Sequence, residues 1–167
     1  MRNFKTFVLI AVMTLGFNSL QAQDNVAHVN FQEIVELMPE FKAMVADVEK
    51  MGKTFEDDIK KAAEDLQAKM TKYNSEGATQ TPETNAKRQD EVVKEEQALY
   101  AAQQQAQQAL QNRRNELLKP IVEKLTKTIE DVAAEQNIEY VMDRTSLIVA
   151  KGTDLKPLVL TKLNITE

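Results

Sequence analysis

The chain of 167 residues contains no cysteine, no tryptophan, one histidine, and only four glycines and four prolines. The absence of cysteine excludes a disulfide framework, thiolate metal sites and the lipid-bearing cysteine of a lipoprotein. A formal charge of −5 argues against a dedicated nucleic-acid binder, which needs a clustered cationic surface. No glycine-rich phosphate loop is present. We therefore expect no nucleic-acid partner, no cofactor and no metal.

The residues that could carry catalysis are few. His28 is the sole imidazole and lies in a short alternating segment, which favours a packing or surface position. No cysteine or second histidine exists to complete a nucleophile–base pair or a typical zinc site. Acidic pairs such as Asp57-Asp58 and Glu95-Glu96 are typical of solvated helix faces. The sequence therefore predicts that the protein is not an enzyme.

The first 22 residues differ from the rest of the chain. A basic start, "MRNFK", is followed by the apolar run "TFVLIAVMTLGF" and the polar end "NSLQAQ". This order is typical of a secretory signal peptide cleaved after Ala22, with Leu20 and Ala22 at the −3 and −1 positions. The apolar run is shorter than the ~20 residues of a membrane-spanning helix. Loss of Arg2 and Lys5 changes the charge from −5 to −7, so we expect an exported, acidic, soluble protein.

Two long stretches space their apolar residues by three and four, which indicates amphipathic helices. The first stripe consists of Phe41, Val45, Val48, Met51, Phe55, Ile59, Ala62, Leu66, Met70 and Tyr73. The second consists of Val92, Leu99, Ala102, Ala106, Leu110, Leu117, Ile121, Leu125, Ile129 and Val132. Between them, Gly77 and Thr81-Pro82 predict a turn and a new helix start. Residues 39–136 are therefore expected to form a projecting helical hairpin with its tip near 75–82.

Two features of this hairpin admit more than one interpretation. The tract "QALYAAQQQAQQALQN" has a composition that is often disordered, but alanine and glutamine favour helix, and its apolar positions keep the helical phase. We favour a slender helix, in which Pro120 produces a kink rather than a break. The methionine and aromatic stripe either packs the two helices together or offers an adaptable surface to many partner sequences.

The two ends of the mature chain carry short β-rich runs. "VAHVNF" alternates like a strand, whereas "IEYVMD" and "SLIVAK" around "RTS" are typical of a β-hairpin. The first strand must then pair beside 138–143 or 147–150. "GTDLKPLVLTKLN" predicts a cap at Thr153 or Asp154 and a last helix. These pieces, residues 23–38 and 137–167, form too small a core to be stable alone, and several copies could close a shared barrel without exposed edges.

The segments "VAHVNFQEIVE" and "EQNIEYVMDRTSLIVAKGTDLKPLVLTKLN", with a long charged hairpin between them, resemble the Skp/OmpH family of periplasmic chaperones. The resemblance covers residues 24–165. It implies a mostly α protein with a small β body: a homotrimer with a β-barrel body and three helical arms around a cavity. It also implies ATP-independent holding of unfolded outer-membrane β-barrel proteins. The better-known members are basic and this chain is acidic, so their binding to anionic lipid or lipopolysaccharide is not carried over.

Three groups of residues are expected to carry this function. The apolar arm face would bind clients through Met44, Met51, Phe55, Ile59, Leu66, Met70 and Tyr73. Basic residues at the tip, with a local charge of +2 over residues 69–88, would attract acidic clients or weakly contact a membrane surface: Lys69, Lys72, Lys87 and Arg88. The oligomeric body would be built around Val29, Phe31, Val141, Ile148 and Leu158.

A structural coiled-coil protein is the main alternative. Such a periplasmic adaptor or spacer would grip one folded partner with the same arms, and its helices would look similar from one sequence. Specificity separates the two hypotheses. A holdase suppresses the aggregation of several unfolded proteins, whereas an adaptor captures one folded partner.

Overall fold

The computed structural model describes residues 26–166, so the predicted signal peptide of residues 1–22 lies outside the described residues. These residues form three short strands and four α-helices. In chain order these elements are β1 (Val26–Val29), α1 (Phe31–Leu37), α2 (Pro39–Glu76), α3 (Pro82–Glu135), β2 (Tyr140–Asp143), β3 (Thr153–Asp154) and α4 (Lys156–Lys162).

The first strand passes directly into helix and then into the arm. Asn30 caps α1, because its side-chain oxygen accepts a hydrogen bond from the Glu33 N–H at 3.2 Å. Helix α1 ends at Met38, whose extended backbone (φ −63°, ψ 130°) suits a residue that precedes proline. Pro39 then occupies the first turn of α2, where its missing N–H costs nothing. The predicted strand is present, and residues 37–41, "LMPEF", form the joint between the body and the arm.

Helices α2 and α3 form the antiparallel hairpin that the sequence predicts. A 3-10 turn, Gly77–Thr79, separates them, and Thr81 caps α3 by accepting from the Thr84 N–H at 3.2 Å. The Asn85 side chain donates to the Gly77 carbonyl at 2.9 Å and closes the turn. At ~1.5 Å per residue, the 38 residues of α2 and the 54 of α3 extend about 57 and 81 Å. Helix α3 continues through Pro120 without a break.

The sheet contradicts the predicted β-hairpin. Its strand order is β2-β1-β3, and both outer strands run parallel to β1: Val26 lies opposite Tyr140, and Ala27 opposite Thr153. The run 147–150 is not a strand. After β2, the Asp143 carboxylate accepts from the N–H and the hydroxyl of Thr145 and tightens a 3-10 turn over Arg144–Ser146. That turn prevents an antiparallel return, so the chain crosses β1 and adds β3 on the other edge.

The body core lies between this sheet and the helices around it. Its fully buried side chains come from α1, the joint, the base of α3 and α4: Ile34, Met38, Leu125, Leu155 and Val159. The body is thus built from both ends of the described chain. The three strands form an open sheet in the single chain, not a closed barrel.

Two helices end with asparagine in the left-handed conformation. Asn137 (φ 56°) follows α3, and Ile138 N–H bonds the Ala133 carbonyl at 2.9 Å, which is the Schellman arrangement. Asn164 (φ 57°) ends α4 in the same way, with Ile165 N–H on the Leu160 carbonyl at 2.9 Å. Both asparagines lie one position after the cap residue of their helix, which is Gln136 for α3 and Leu163 for α4.

The start of α4 differs slightly from the prediction. The cap position is Leu155 rather than Thr153 or Asp154, although the Asp154 carboxylate accepts from the Lys156 N–H at 2.9 Å. Pro157 lies in the first turn, where proline is tolerated. The buried face of this helix consists of Val159 and Leu160, whereas Leu158 points outward and is exposed.

Candidate functional site

The apolar stripe of α2 serves first to hold the two arm helices together. Met44 and Leu66 are the buried side chains of this helix. The other five predicted client-binding residues are half-buried: Met51, Phe55, Ile59, Met70 and Tyr73. Val45, a predicted member of the stripe, is exposed because Met44 takes the inward position beside it. Helix α2 therefore buries two apolar side chains and leaves the edges of the others accessible.

Ion pairs fasten the base of the arm. Lys124 Nζ of α3 bonds Glu40 of α2 at 2.5 Å, and Arg113 Nε bonds Asp47 at 2.8 Å. The hydrogen bond from Lys124 holds the pKa of the Glu40 carboxyl below its ordinary value of 4.5. The hydrogen bond to Asp47 raises the pKa of Arg113. Both pairs join α2 to α3 next to the body.

A second network fastens the tip. Glu91 accepts from Lys69 Nζ and from the Tyr73 hydroxyl, both at 2.8 Å. Arg88 bonds Glu76 at 2.6 Å, and its guanidinium lies 4.5 Å from the centre of the Tyr73 ring. Lys69, followed by Tyr73, lowers the pKa of Glu91, and the hydrogen bond to Glu91 raises the pKa of Tyr73 above 10. We call these five residues the tip network.

Most of the predicted basic residues at the tip are paired with acidic side chains. Lys69 and Arg88 form ion pairs between the helices, and Lys87 pairs with Glu83 at 2.7 Å along α3. Lys72 is exposed. Between residues 69 and 95 the sequence contains five basic and five acidic side chains, so the local charge cancels over the whole tip. The local charge predicted from the sequence included only residues 69–88 and therefore missed Glu91. Pairing the two helices about the turn would have placed Glu91 opposite Lys69.

The middle of the arm has no such fastening. Within the described chain, no hydrogen bond or ion pair joins residues 48–68 of α2 to α3. The contacts there are apolar, as where the Leu110 side chain lies over Gly52. A cleft of about 610 Å³ opens there between the helices. Its walls are Phe55, Asp58, Ile59, Ala62, Ala98, Leu99, Ala102, Gln105, Ala106 and Ala109. We call this the midsection cleft.

The body carries an exposed apolar surface of its own. Its exposed members are Val26, Tyr140, Met142, Ile148, Val149 and Leu158. Of the predicted body residues, Val29 is buried, Phe31 and Val141 are half-buried against the core, and Ile148 and Leu158 are exposed. Exposed apolar clusters of this kind mark interaction surfaces.

Catalysis or metal binding by residues 26–166 would depend on His28 and on the Asp and Glu side chains. His28 is buried on the central strand, and its Nδ1 has no hydrogen-bond partner. In this part of the chain, no three His, Asp or Glu side chains come together as they would around a metal ion. None of the described helices combines the length and the apolar character required to cross a membrane.

The fold and the site define a class of protein in which a two-helix arm projects from a small α/β body. The arm is thinly packed, and ion pairs join its helices near both ends. A family model for outer membrane protein (OmpH-like) matches residues 25–163, and the chain belongs to this family. The resemblance noted in the sequence is thereby confirmed.

Individual relatives agree with this assignment. The chain is 24% identical over 138 residues to the chaperone protein Skp of Pectobacterium atrosepticum, covering 82% of this chain and 84% of the relative. It is 25% identical over 127 residues to the chaperone protein Skp of Photorhabdus laumondii, covering 76% and 77%. The crystal structure of an OmpH-like protein from Caulobacter crescentus matches the fold with a TM-score of 0.75 at 15% identity, covering 84% of this chain and 83% of the other.

Proposed function

We propose that the protein is an ATP-independent periplasmic holdase that binds unfolded outer-membrane β-barrel proteins between its arms and prevents their aggregation. The observation that carries the proposal is the arm itself: a long projecting hairpin whose apolar stripe is only half covered by its partner helix. Such an edge offers many weak apolar contacts, and flexible methionines such as Met51 and Met70 adapt to different sequences. Membership of the OmpH-like family and the likeness to Skp chaperones support it.

The working assembly is proposed to be a homotrimer, with the sheets joined in one body and the arms around a cavity. The exposed apolar surface of the body supports this proposal, because Ile148 and Val149 would be covered by neighbouring copies. Ile148→Asp should reduce the mass measured by light scattering to that of a monomer. Since Ile148 is fully exposed in the single chain, this change leaves the protomer core intact. Val141→Asp should act more severely because Val141 also packs against that core.

Export to the periplasm is proposed from the first 22 residues, with cleavage after Ala22. Mass spectrometry of the mature protein from a periplasmic extract should find Gln23 at the amino terminus. An intact Met1 terminus on the cellular protein would contradict the proposal.

The holdase function is tested by diluting a urea-unfolded β-barrel outer-membrane protein into buffer without ATP and following light scattering. The protein should suppress scattering for several such clients. The triple variant Met51→Ser, Phe55→Ser, Met70→Ser should suppress it less at both low and high salt. If adding the protein leaves the scattering of every client unchanged, and the protein captures one folded protein from the periplasm, the adaptor is favoured instead.

A further inference from the structure

The midsection cleft differs from the rest of the arm in its charge. From residue 97 to residue 112, α3 has no charged side chain, although 28% of the whole chain is charged. This tract begins after Glu96 and ends before Arg113. It supplies one complete wall of the cleft, and Asp58 on the opposite helix is the charged residue among those that line it. The α3 wall is therefore uncharged, and Asp58 is the single charged residue that lines the cleft.

The wall residues combine apolar contact with adaptable hydrogen bonding. Phe55, Ile59 and Leu99 are half-buried and turn apolar edges toward the cleft, while Ala98 and Ala102 are exposed and leave room beside them. Gln105 lines the same cleft. A primary amide both donates and accepts hydrogen bonds, so it can pair with the N–H or C=O of another backbone whatever the sequence.

We propose that the midsection cleft is a binding site for an uncharged, extended segment of unfolded polypeptide, seated with an apolar side chain against Phe55, Ile59 and Leu99. This inference rests on the proposed holdase function and assigns it a place on the arm. An extended chain has unpaired backbone groups that the Gln105 amide can satisfy, whereas a folded helix from a second copy has none to offer. An acidic segment would be repelled by Asp58.

The absence of interhelical polar contacts across residues 48–68 suits such a site. The ion pairs at the base and the tip network keep the two helix ends in register, so the middle can widen around side chains of different size. Contacts in this region are apolar and non-directional, and they can be remade at a new spacing.

The test fills the cleft without disturbing the arm. Ala98→Leu with Ala102→Leu places two larger side chains, both good helix formers, at exposed positions of the full-length protein. The probe is a fluorescent twelve-residue peptide in which leucine and serine alternate, and its binding is followed by anisotropy. The Kd should rise about tenfold, since loss of one buried aliphatic contact has this effect.

The matched control is Gln103→Leu with Gln107→Leu, which adds the same side chains at the same spacing on exposed positions that do not line the cleft. Its Kd should stay within about twofold of the wild-type value, or improve slightly through added apolar surface. Equal loss of binding in both variants, or none in either, would overturn the assignment. If peptide binding weakens only under conditions in which light scattering shows that the arms of different molecules associate, the occupant of the cleft is a second copy of the chain. That result would also overturn the assignment.

The client assay separates this inference from the function on which it depends. If the filled-cleft variant still suppresses aggregation of unfolded β-barrel proteins as well as wild type, the holdase function stands and the site is elsewhere. If wild type itself suppresses nothing, the proposed function fails. A charge test sharpens the result: Gln105→Glu should weaken binding of the neutral peptide more than Gln104→Glu, which lies outside the cleft wall.

Discussion

The body and the arm use different interactions to hold their elements together. In the body, side chains from α1, the joint, α3 and α4 are fully buried in one cluster. In the arm, the 38 residues of α2 bury only Met44 and Leu66, and ion pairs near the two ends supply the cross-links between helices. The buried core of the body fixes one geometry. The arm is fixed at its two ends by ion pairs, and the spacing of its helices in the middle remains adjustable. The difference supports the proposals that the body carries assembly and that the arm adapts to clients.

Truncation of a core side chain should have the largest effect. Leu125 is completely buried among the body elements, so Leu125→Ala should lower the free energy of unfolding by about 2–5 kcal/mol. The matched change in the arm, Ile59→Ala, removes a half-buried side chain beside an open cleft and should cost less than half as much. Urea denaturation at one protein concentration measures both. Equal losses would show that the arm is packed as tightly as the body.

A smaller effect is expected where the arm returns to the body. Asn137 holds a left-handed conformation that ends α3, and a β-branched residue is strained there. Asn137→Val should destabilise the protein by roughly 1–2 kcal/mol. Asn137→Gly, which adopts this conformation freely, should stay close to wild type. If Asn137→Val leaves the free energy of unfolding unchanged, this residue does not fix the end of the helix.

The smallest effect on global stability, but a clear local one, is expected at the tip. Glu91→Gln removes one of the two carboxylates that pair with Lys69, the other being Glu95, and weakens the contact to the Tyr73 hydroxyl. The helix ends should therefore move apart while the body remains folded. Because the chain has no cysteine, spin labels at Asn74→Cys and Ala86→Cys report the distance directly. Glu96→Gln, outside the tip network, is the control and should leave the distance distribution unchanged.

The same labels should reveal a pH window for the tip network. The pKa of Glu91 lies below its ordinary value of 4.5, so its contribution is complete above that value and is lost as the pH falls through the lowered pKa. The pKa of Tyr73 lies above 10, so its contribution is complete below 10 and is lost as the pH rises further. Between these limits the distance should be constant. A change near pH 7 would contradict this assignment.

The sequence was sufficient for the parts of the fold that local rules control. Helical periodicity predicted α2 and α3, and Thr81-Pro82 predicted where α3 begins. The β-hairpin at 138–150 was predicted wrongly because β-rich composition specifies a strand but not its partner. The side-chain bonds of Asp143 turn the chain toward the far edge of the sheet, and only the structure reveals that crossing.

The site was less accessible to sequence reasoning for a related physical reason. The apolar stripe could be recognised, but which of its faces is covered depends on the register of the two helices. That register places Met44 and Leu66 inside and brings Lys69 opposite Glu91. The midsection cleft likewise arises between helices, where the small side chains of α3 meet Phe55 and Ile59.

Hydrogen exchange of the full-length protein, free and bound to an unfolded β-barrel client, tests the division between body and arm most directly. In the free protein, residues 48–68 and 97–112 should exchange faster than 121–133 of the same helix pair, where the core covers α3. Client binding should slow exchange in the first two segments and leave the body unchanged. Protection that appears in the body, with the middle of the arm unaffected, would contradict the account.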